Sequence, residues 1–357
     1  MTVERAKQWR GKRVLLTGHT GFKGSWLALL LRQWGADVYG FSLVPETPSL
    51  FQQAGLAQHV AGEVGDIREL GAIARAVATF RPDIVFHLAA QPLVRSSYQD
   101  PVGTYATNVL GTVHVLEAVR QTPCVKAVVC VTSDKCYENL EWQWGYREND
   151  RLGGHDPYSS SKACAELVAA AYRASYFHLP ESPLLATARA GNVIGGGDWA
   201  KDRLVPDAMR AFTAGETLRI RYPAAIRPWQ HVLEAVNGYL VLGEALLSGQ
   251  RAAAKAWNFG PSPQSFSRVD AVVERLAALW GAGAAWRAEP DPKWHEAGTL
   301  TLDITQAMRQ LAWTPLLTLD EALRLTVAWY QISVHDDRCA FTMRQVAAYA
   351  EKSAGNG

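Results

Sequence analysis

The chain has 357 residues, 48% of them hydrophobic, which suits one large α/β unit with a smaller lobe attached. Its 36 basic and 34 acidic residues leave a net charge of +2, so there is no electrostatic footprint for a nucleic acid or a membrane surface. The five cysteines (Cys124, Cys130, Cys136, Cys164, Cys339) form no CxxC pair, which argues for reduced thiols in a cytoplasmic protein and against a zinc site. The opening MTVERAKQWRGKR lacks the apolar stretch of a signal peptide, and no run of about 18 apolar residues reads as a membrane span.

Along the first half, short β-branched runs alternate with helical patterns, the signature of a parallel sheet covered on both faces. Arg13–Thr17 (RVLLT) predicts a first strand, and 22–34 a helix ending near Gly35. A second strand is expected at 38–42, a short third near Val64, a helix at 69–80 and a fourth strand at 84–88 (IVFHL). A helix over 102–120 leads to a fifth strand at 127–132, and a long helix over 157–177 to a sixth at Leu184–Ala190. Residues 191–229 are rich in Gly, Pro, Trp and Arg, with one short helix at 205–212. A helix at Val232–Leu247 and an apolar run at 257–259 predict a return to the main sheet. The expected organisation is a first unit over 1–190 with a return segment at about 230–260. A smaller lobe would occupy 191–229 and 261–335, and a tail 336–357, its end Gly/Asn-rich after Ser353.

The first strand runs directly into Gly18-His19-Thr20-Gly21-Phe22-Lys23-Gly24 and then an apolar helix. Glycines there let backbone N–H groups approach a pyrophosphate, and a helix N-terminus favours its charge. The spacing is GxxGxxG, and its place between strand and helix predicts a dinucleotide site in a doubly wound, Rossmann-type parallel α/β sheet with a smaller C-terminal substrate lobe. Asp66 and Ile67 follow the third strand, where a carboxylate can meet an adenine amino group. Leu88, Ala89 and Ala90 follow the fourth and leave room for a cofactor ribose. Thr107 joins this cofactor set, and the neighbouring Gln91 the substrate set. The second strand ends on Ser42, where NAD enzymes of this fold commonly carry an acid for the ribose 2′-hydroxyl. With Lys23 and Arg32 nearby, this position leaves NAD and NADP both open.

Tyr158 and Lys162 (YSSSK) open the long helix and share one of its faces. A cation one turn away is expected to lower the tyrosine pKa, so the phenol can take a proton from a sugar hydroxyl as hydride leaves the same carbon. At the end of the fifth strand lie Ser133, placed to hydrogen-bond the same oxygen, and then Asp134 and Lys135. Simple oxidation needs neither of that pair, whereas dehydration needs an acid and a base. Asn108 is a further structural candidate. After the sixth strand come Asn192, Trp199, Arg203, Arg219, Arg221 and Arg227, then Trp229 and His231. Arginine forks match phosphate oxygens and aromatics stack on bases, so this cluster predicts a nucleotide diphosphate. His19, His87 and His231 are too dispersed for a metal site, and no metal is required.

Together GHTGFKGSWL, LAAQPLVRSSYQDP, VTSDKCYEN, DPYSSSKACAE, ARAGNVIGGGDWAKDRLVPD and RPWQHVLE resemble the CDP-glucose 4,6-dehydratases, among the extended short-chain dehydrogenases/reductases. The resemblance runs from about Gly11 to about Tyr330; SDKCYEN and GGGDWAKDRLVPD with RPWQHVLE are its specific parts. It implies bound NAD, CDP-glucose as substrate, and a homodimer or homotetramer paired through the helices at 102–120 and 157–177. It also implies Tyr158, Lys162 and Ser133 in C4 oxidation, Asp134 as the acid at O6 and Lys135 as the C5 base, with Asn192, Arg203 and Arg227 on the pyrophosphate. Related dTDP- and GDP-sugar dehydratases carry Glu after the aspartate; Lys135 must shed its proton to do that work. A nucleotide-sugar 4-epimerase would share the cradle and the Ser/Tyr/Lys set but not need Asp134 and Lys135. A silent NAD-binding regulator would not need Tyr158 or Lys162.

Overall fold

Strands with an unbroken apolar centre, such as RVLLT and AVVCV, must be covered on both faces, and the chain arranges its helices accordingly. The computed structural model describes residues 3–290, 297–333 and 335–355. The first half runs α1 (Val3–Trp9), β1 (Arg13–Thr17), α2 (Phe22–Gln33), β2 (Asp37–Ser42), α3 (Leu50–Gln53), β3 (Ala61–Val64), α4 (Leu70–Phe80) and β4 (Ile84–His87). It continues through α5 (Val94–Gln99), α6 (Pro101–Tyr105), α7 (Gly111–Arg120), β5 (Ala127–Val131), α8 (Pro157–Ser175) and β6 (Leu184–Ala190). Then come β7 (Val193–Ile194), α9 (Leu204–Ala214), β8 (Thr217–Ile220), β9 (Ile226–Pro228), β10 (Gln230–His231), α10 (Val232–Leu247) and β11 (Ala256–Phe259). The last elements are β12 (Phe266–Arg268), α11 (Val269–Trp280), β13 (Ala285–Ala288), α12 (Thr305–Gln310), α13 (Leu319–Gln331) and α14 (Arg338–Gly355).

Seven strands form one parallel sheet in the order β3-β2-β1-β4-β5-β6-β11. Alternation along each strand divides the core in two. Val14, Leu16, Phe86 and Val129 face α2 and α10, whose Leu27, Leu30, Val236 and Leu240 are wholly buried. Leu15, Val85, Val128 and Leu185 face the other way, onto Ile73 and Val77 of α4, Val115 and Val119 of α7, and Ala169 of α8. β11 pairs with β6, so the chain returns to the sheet after α10. Outside the sheet, short pairs β7–β10, β8–β13 and β9–β12 tie down the Gly/Arg-rich stretch.

Two sequence expectations are corrected. The helix expected over 102–120 is α6, a π-helical turn at Ala106–Leu110 and α7; Asp100 caps α6, with Pro101 in its first turn. The expected tail at 336–357 is instead helical over most of its length, because Thr342, Val346 and Tyr349 recur at helical spacing and are buried. Residues 291–296 of the expected smaller lobe, and 356–357 of the Gly/Asn-rich end, lie outside the described residues. Among the described residues, no helix is long and apolar enough to cross a membrane.

Candidate active site

The strand order reverses between β1 and β4, and ligands of open α/β sheets bind beyond the strand ends at such a switch. There the structure has a cleft of about 910 Å³, lined by the β1–α2 turn, the ends of β2, β4, β5 and β6, and the stretch from Gly191 to Trp229.

At one end of the cleft lies the glycine turn. Gly18 has φ +78°, and a Cβ there would stand 2.7 Å from the Ala89 backbone nitrogen. A Cβ on Gly24 would stand 2.1 Å from the Gly18 carbonyl oxygen, so the helix can pack this close to the turn only without one. Gly21 is exposed, at the N-cap of α2, whose first-turn N–H groups have no intrahelical acceptor. This cradle fits a pyrophosphate. Ser42 is buried: its Oγ lies 2.9 Å from His19 Nδ1, and burial holds that imidazole down to about 4, hence neutral. Asp66 lines the cleft, but both its oxygens are engaged by Arg68, through the backbone N–H at 2.9 Å and the guanidinium at 2.6 Å. The adenine contact expected of this carboxylate thus competes with an ion pair. Ile67, Leu88, Ala89, Ala90 and Thr107 line the same space, together with Thr20 and Phe22.

At the other end stands the Ser/Tyr/Lys set. Asp156 caps α8, accepting from Ser159 N at 2.9 Å, and Pro157 starts its first turn. This places Tyr158 and Lys162, both buried, beside the end of β5. Ser133 caps the tight turn Asp134–Cys136; its Oγ donates to Asp134 Oδ1 at 3.0 Å, and the same hydroxyl favours the charged form of Tyr158. The expected lowering of the Tyr158 pKa is not produced by the protein's own groups: burial dominates and pushes the phenol up to about 12. Burial likewise lowers Lys162 to about 8; its Nζ reaches the Val131 carbonyl at 3.5 Å.

Asp134 is the most unusual group. Its side chain is 3% exposed and burial raises its pKa, with Lys135, the Ser133 hydrogen bond and Arg227 only partly opposing. Its Oδ2 is buried without a hydrogen-bond partner, against Gly191 at the end of β6. Lys135 is half-buried and lines the cleft beside it. Lys23 starts in the cofactor turn, but its Nζ points to Tyr239 OH at 3.4 Å and into the field of Asp134, Lys162 and Arg203; burial lowers it to about 7.

Several predicted site residues are otherwise occupied. Gln91 spends its amide on the loop, donating to Thr104 at 2.9 Å and accepting from Leu93 N at 2.6 Å. Asn108 sits in the π turn, buried, where it holds both backbone groups of Gln91 and Ser161 Oγ. Arg203 lines the cleft and is paired with Asp198 at 2.9 Å. Arg227 is buried and donates to the Ile226, Ala297 and Gly298 carbonyls. Asn192 and Trp229 also line the cleft, whereas Arg219 is on its exposed rim, paired with Glu289. His231 is corrected: it is wholly buried, caps α10 through Leu233 N, packs edge-on against Trp26 and does not line the cleft. Its polar neighbours in sequence suggested a site; its position at the start of an apolar helix is the better guide. Among the described residues no group of three His, Cys, Asp or Glu could hold a metal.

Residues 14–260 match the NAD dependent epimerase/dehydratase family. The chain is 49% identical over 347 residues to the CDP-glucose 4,6-dehydratase of Salmonella typhimurium, covering 96% of this chain and 97% of that one. It is 28% identical to the dTDP-glucose 4,6-dehydratase of Neisseria gonorrhoeae, over 89% of this chain and 95% of that one. Its fold is similar to a solved dTDP-glucose 4,6-dehydratase of Streptomyces venezuelae with NAD bound, at a TM-score of 0.76 and 27% identity, covering 89% of this chain and 97% of that one. The cradle, the Ser/Tyr/Lys set and these likenesses agree, and the chain belongs to the NAD dependent epimerase/dehydratase family.

Proposed function

We propose that this chain is a CDP-glucose 4,6-dehydratase, converting CDP-D-glucose to CDP-4-keto-6-deoxy-D-glucose and water. The observation that carries the reading is Asp134. A buried carboxyl with a raised pKa and one unpartnered oxygen, hydrogen-bonded to Ser133 beside Tyr158, is a proton donor held ready at the redox centre. An epimerase has no use for it. The 49% identity to a CDP-glucose enzyme supports cytidine as the base.

The Gly18–Gly24 cradle would hold NAD, which when bound would supply the hydride chemistry between C4 and C6 and a positive charge opposing the upward push of burial on Tyr158. The chain's own residues handle the protons. Tyr158 removes the O4 proton while Ser133 holds that oxygen and Lys162 supplies positive charge. The resulting ketone acidifies C5–H. Lys135, as the neutral amine, takes that proton, Asp134 protonates the departing O6 as water, and Lys135 then returns a solvent-exchanged proton to C5. Asn192 and Arg203 hold the pyrophosphate, while Arg227, whose guanidinium is spent on the Ile226, Ala297 and Gly298 carbonyls, adds positive charge from the cleft wall; the Asp198–Arg203 pair keeps one fork at the cleft. Exposed Val102, Leu110 and Leu167 on the α6–α8 region support pairing of two copies through these helices, and the molar mass from light scattering checks it.

The test is incubation with CDP-, dTDP-, UDP- and GDP-glucose in heavy water, followed by mass spectrometry. Loss of one water with uptake of one deuterium, for CDP-glucose alone, is the expected result. No mass change, but conversion to the galactose epimer on chromatography, would overturn the reading.

A further inference from the structure

The turn that carries Ser133, Asp134 and Lys135 has a support that these proton transfers do not use. Glu166 lies one helical turn beyond Lys162, on the face of α8 that presents Tyr158 and Lys162. Its carboxylate is fully committed: one oxygen accepts from Thr132 Oγ1 at 2.5 Å, the other from Thr187 Oγ1 and Arg189, both at 2.8 Å. Arg189, from β6, also donates to Tyr137 OH at 2.7 Å and to the Glu148 carbonyl at 3.0 Å, and its guanidinium lies over the Tyr137 ring. The Tyr137 hydroxyl donates onward to Asn258 on β11 at 2.7 Å. Thr132 and Tyr137 are the residues on either side of the Ser133–Cys136 segment. The side chains of Glu166 and Arg189 are 1% and 3% exposed. Desolvation offsets most of what such a buried pair gains, so stability alone is a weak account of its place here.

We propose that Glu166 is a positioning residue: with Arg189 it clamps the 133–136 turn at both ends, fixing Asp134 and Lys135 relative to Tyr158 and Lys162. The inference rests on the dehydratase reading above. The clamp and the Tyr/Lys pair ride on one helix, so the two halves of the site are referenced to the same rigid element. The Glu166 charge also helps keep Lys162 protonated against burial. Loosening the clamp moves the acid and base while leaving Tyr158 and Lys162 on α8. Water loss therefore suffers more than C4 oxidation.

The test uses Thr132→Val and Tyr137→Phe, which each delete one tether without stranding a buried charge, and Glu166→Gln. Single-turnover reduction of the nicotinamide reads C4 oxidation, product mass reads water loss, and melting reads stability. Expected is a fall in water loss of about tenfold or more, with C4 oxidation reduced less than about threefold, so that reduced cofactor accumulates. In Glu166→Gln the alkaline limb of the C4-oxidation profile is expected to move to lower pH, which a merely structural role would not do. If Glu166→Gln does not fold, the other two variants decide. Equal falls in both steps that track the melting temperature would overturn the clamp. A wild-type protein that removes no water from CDP-glucose would instead overturn the dehydratase reading, and the clamp with it.

Discussion

In the proposed reaction, Asp134 is what separates this site from a plain oxidoreductase. Asp134→Asn keeps the shape and the Ser133 contact but has no acidic proton to give. The expected outcome is slow C4 oxidation with water loss reduced by about 10²-fold or more, the scale of a lost general acid, seen as reduced nicotinamide without the 6-deoxy product. Full turnover in this variant would remove Asp134 from its role. Lys162 makes a second prediction. Its folded pKa is lowered to about 8 by burial, so its charge is present below that pH and lost above it. C4 oxidation is expected to fall as pH rises through about 8. Lys162→Arg keeps the charge, and should show no such limb even if its rate is lower; a pH–rate series on both proteins checks this. At this scale the sequence was informative about which residue types meet, since YxxxK on a helix and Ser-Asp-Lys at a strand end each carry their chemistry. It could not show that burial, not Lys162, dominates Tyr158, because desolvation depends on everything packed around the phenol. Nor did it single out Glu166, although its i+4 spacing from Lys162 was a usable signal.

At the scale of elements, the strands and the glycine turn were legible because period and punctuation are local. The β1–turn–α2 unit follows from RVLLT, three spaced glycines and an apolar helix. The close fit at Gly24 makes it testable. A Cβ 2.1 Å from the Gly18 carbonyl cannot be accommodated without shifting the turn. Gly24→Ala is expected to weaken NAD binding by about tenfold or more at an unchanged far-UV spectrum, measured by calorimetric titration. Unaltered affinity would mean that the cradle is not where the pyrophosphate sits. The break in the 102–120 helix was not legible, because a π turn is set by what Asn108 must reach. Its side chain spans Gln91 and Ser161, on a loop and a helix far away in sequence. His231 failed for a related reason: polar neighbours in sequence said nothing of the apolar wall, Trp26, that α10 carries it into.

On the scale of the whole molecule, elements from both extremes of the described chain converge on α10. From α1, Arg5 donates to Asn237 at 2.6 Å and Trp9 to Glu244 at 2.7 Å. From α14, Tyr349 OH donates to Glu234 at 2.7 Å and accepts from Asn237 at 3.3 Å. Glu234 also accepts from the backbone N–H groups of Leu316 and Leu317, so one buried carboxylate holds α14 and the segment before α13 against the sheet-packing helix. These links join residues more than 80 positions apart, which is why a segment read as a tail proved to be structural. Removing the Tyr349 hydroxyl leaves the Glu234 carboxylate buried with one donor fewer and costs about 1–3 kcal/mol. Tyr349→Phe is therefore expected to lower Tm by a few degrees. Tyr349 is not part of the cleft lining, so kcat at low temperature should be unchanged. In a cycle with Glu234→Gln the two losses should fall short of additive by about 0.5 kcal/mol or more, since both remove the same bond. Additive losses would mean that α14 is held by the apolar packing of Val346 and its neighbours, with the buried carboxylate serving only the Leu316–Leu317 segment.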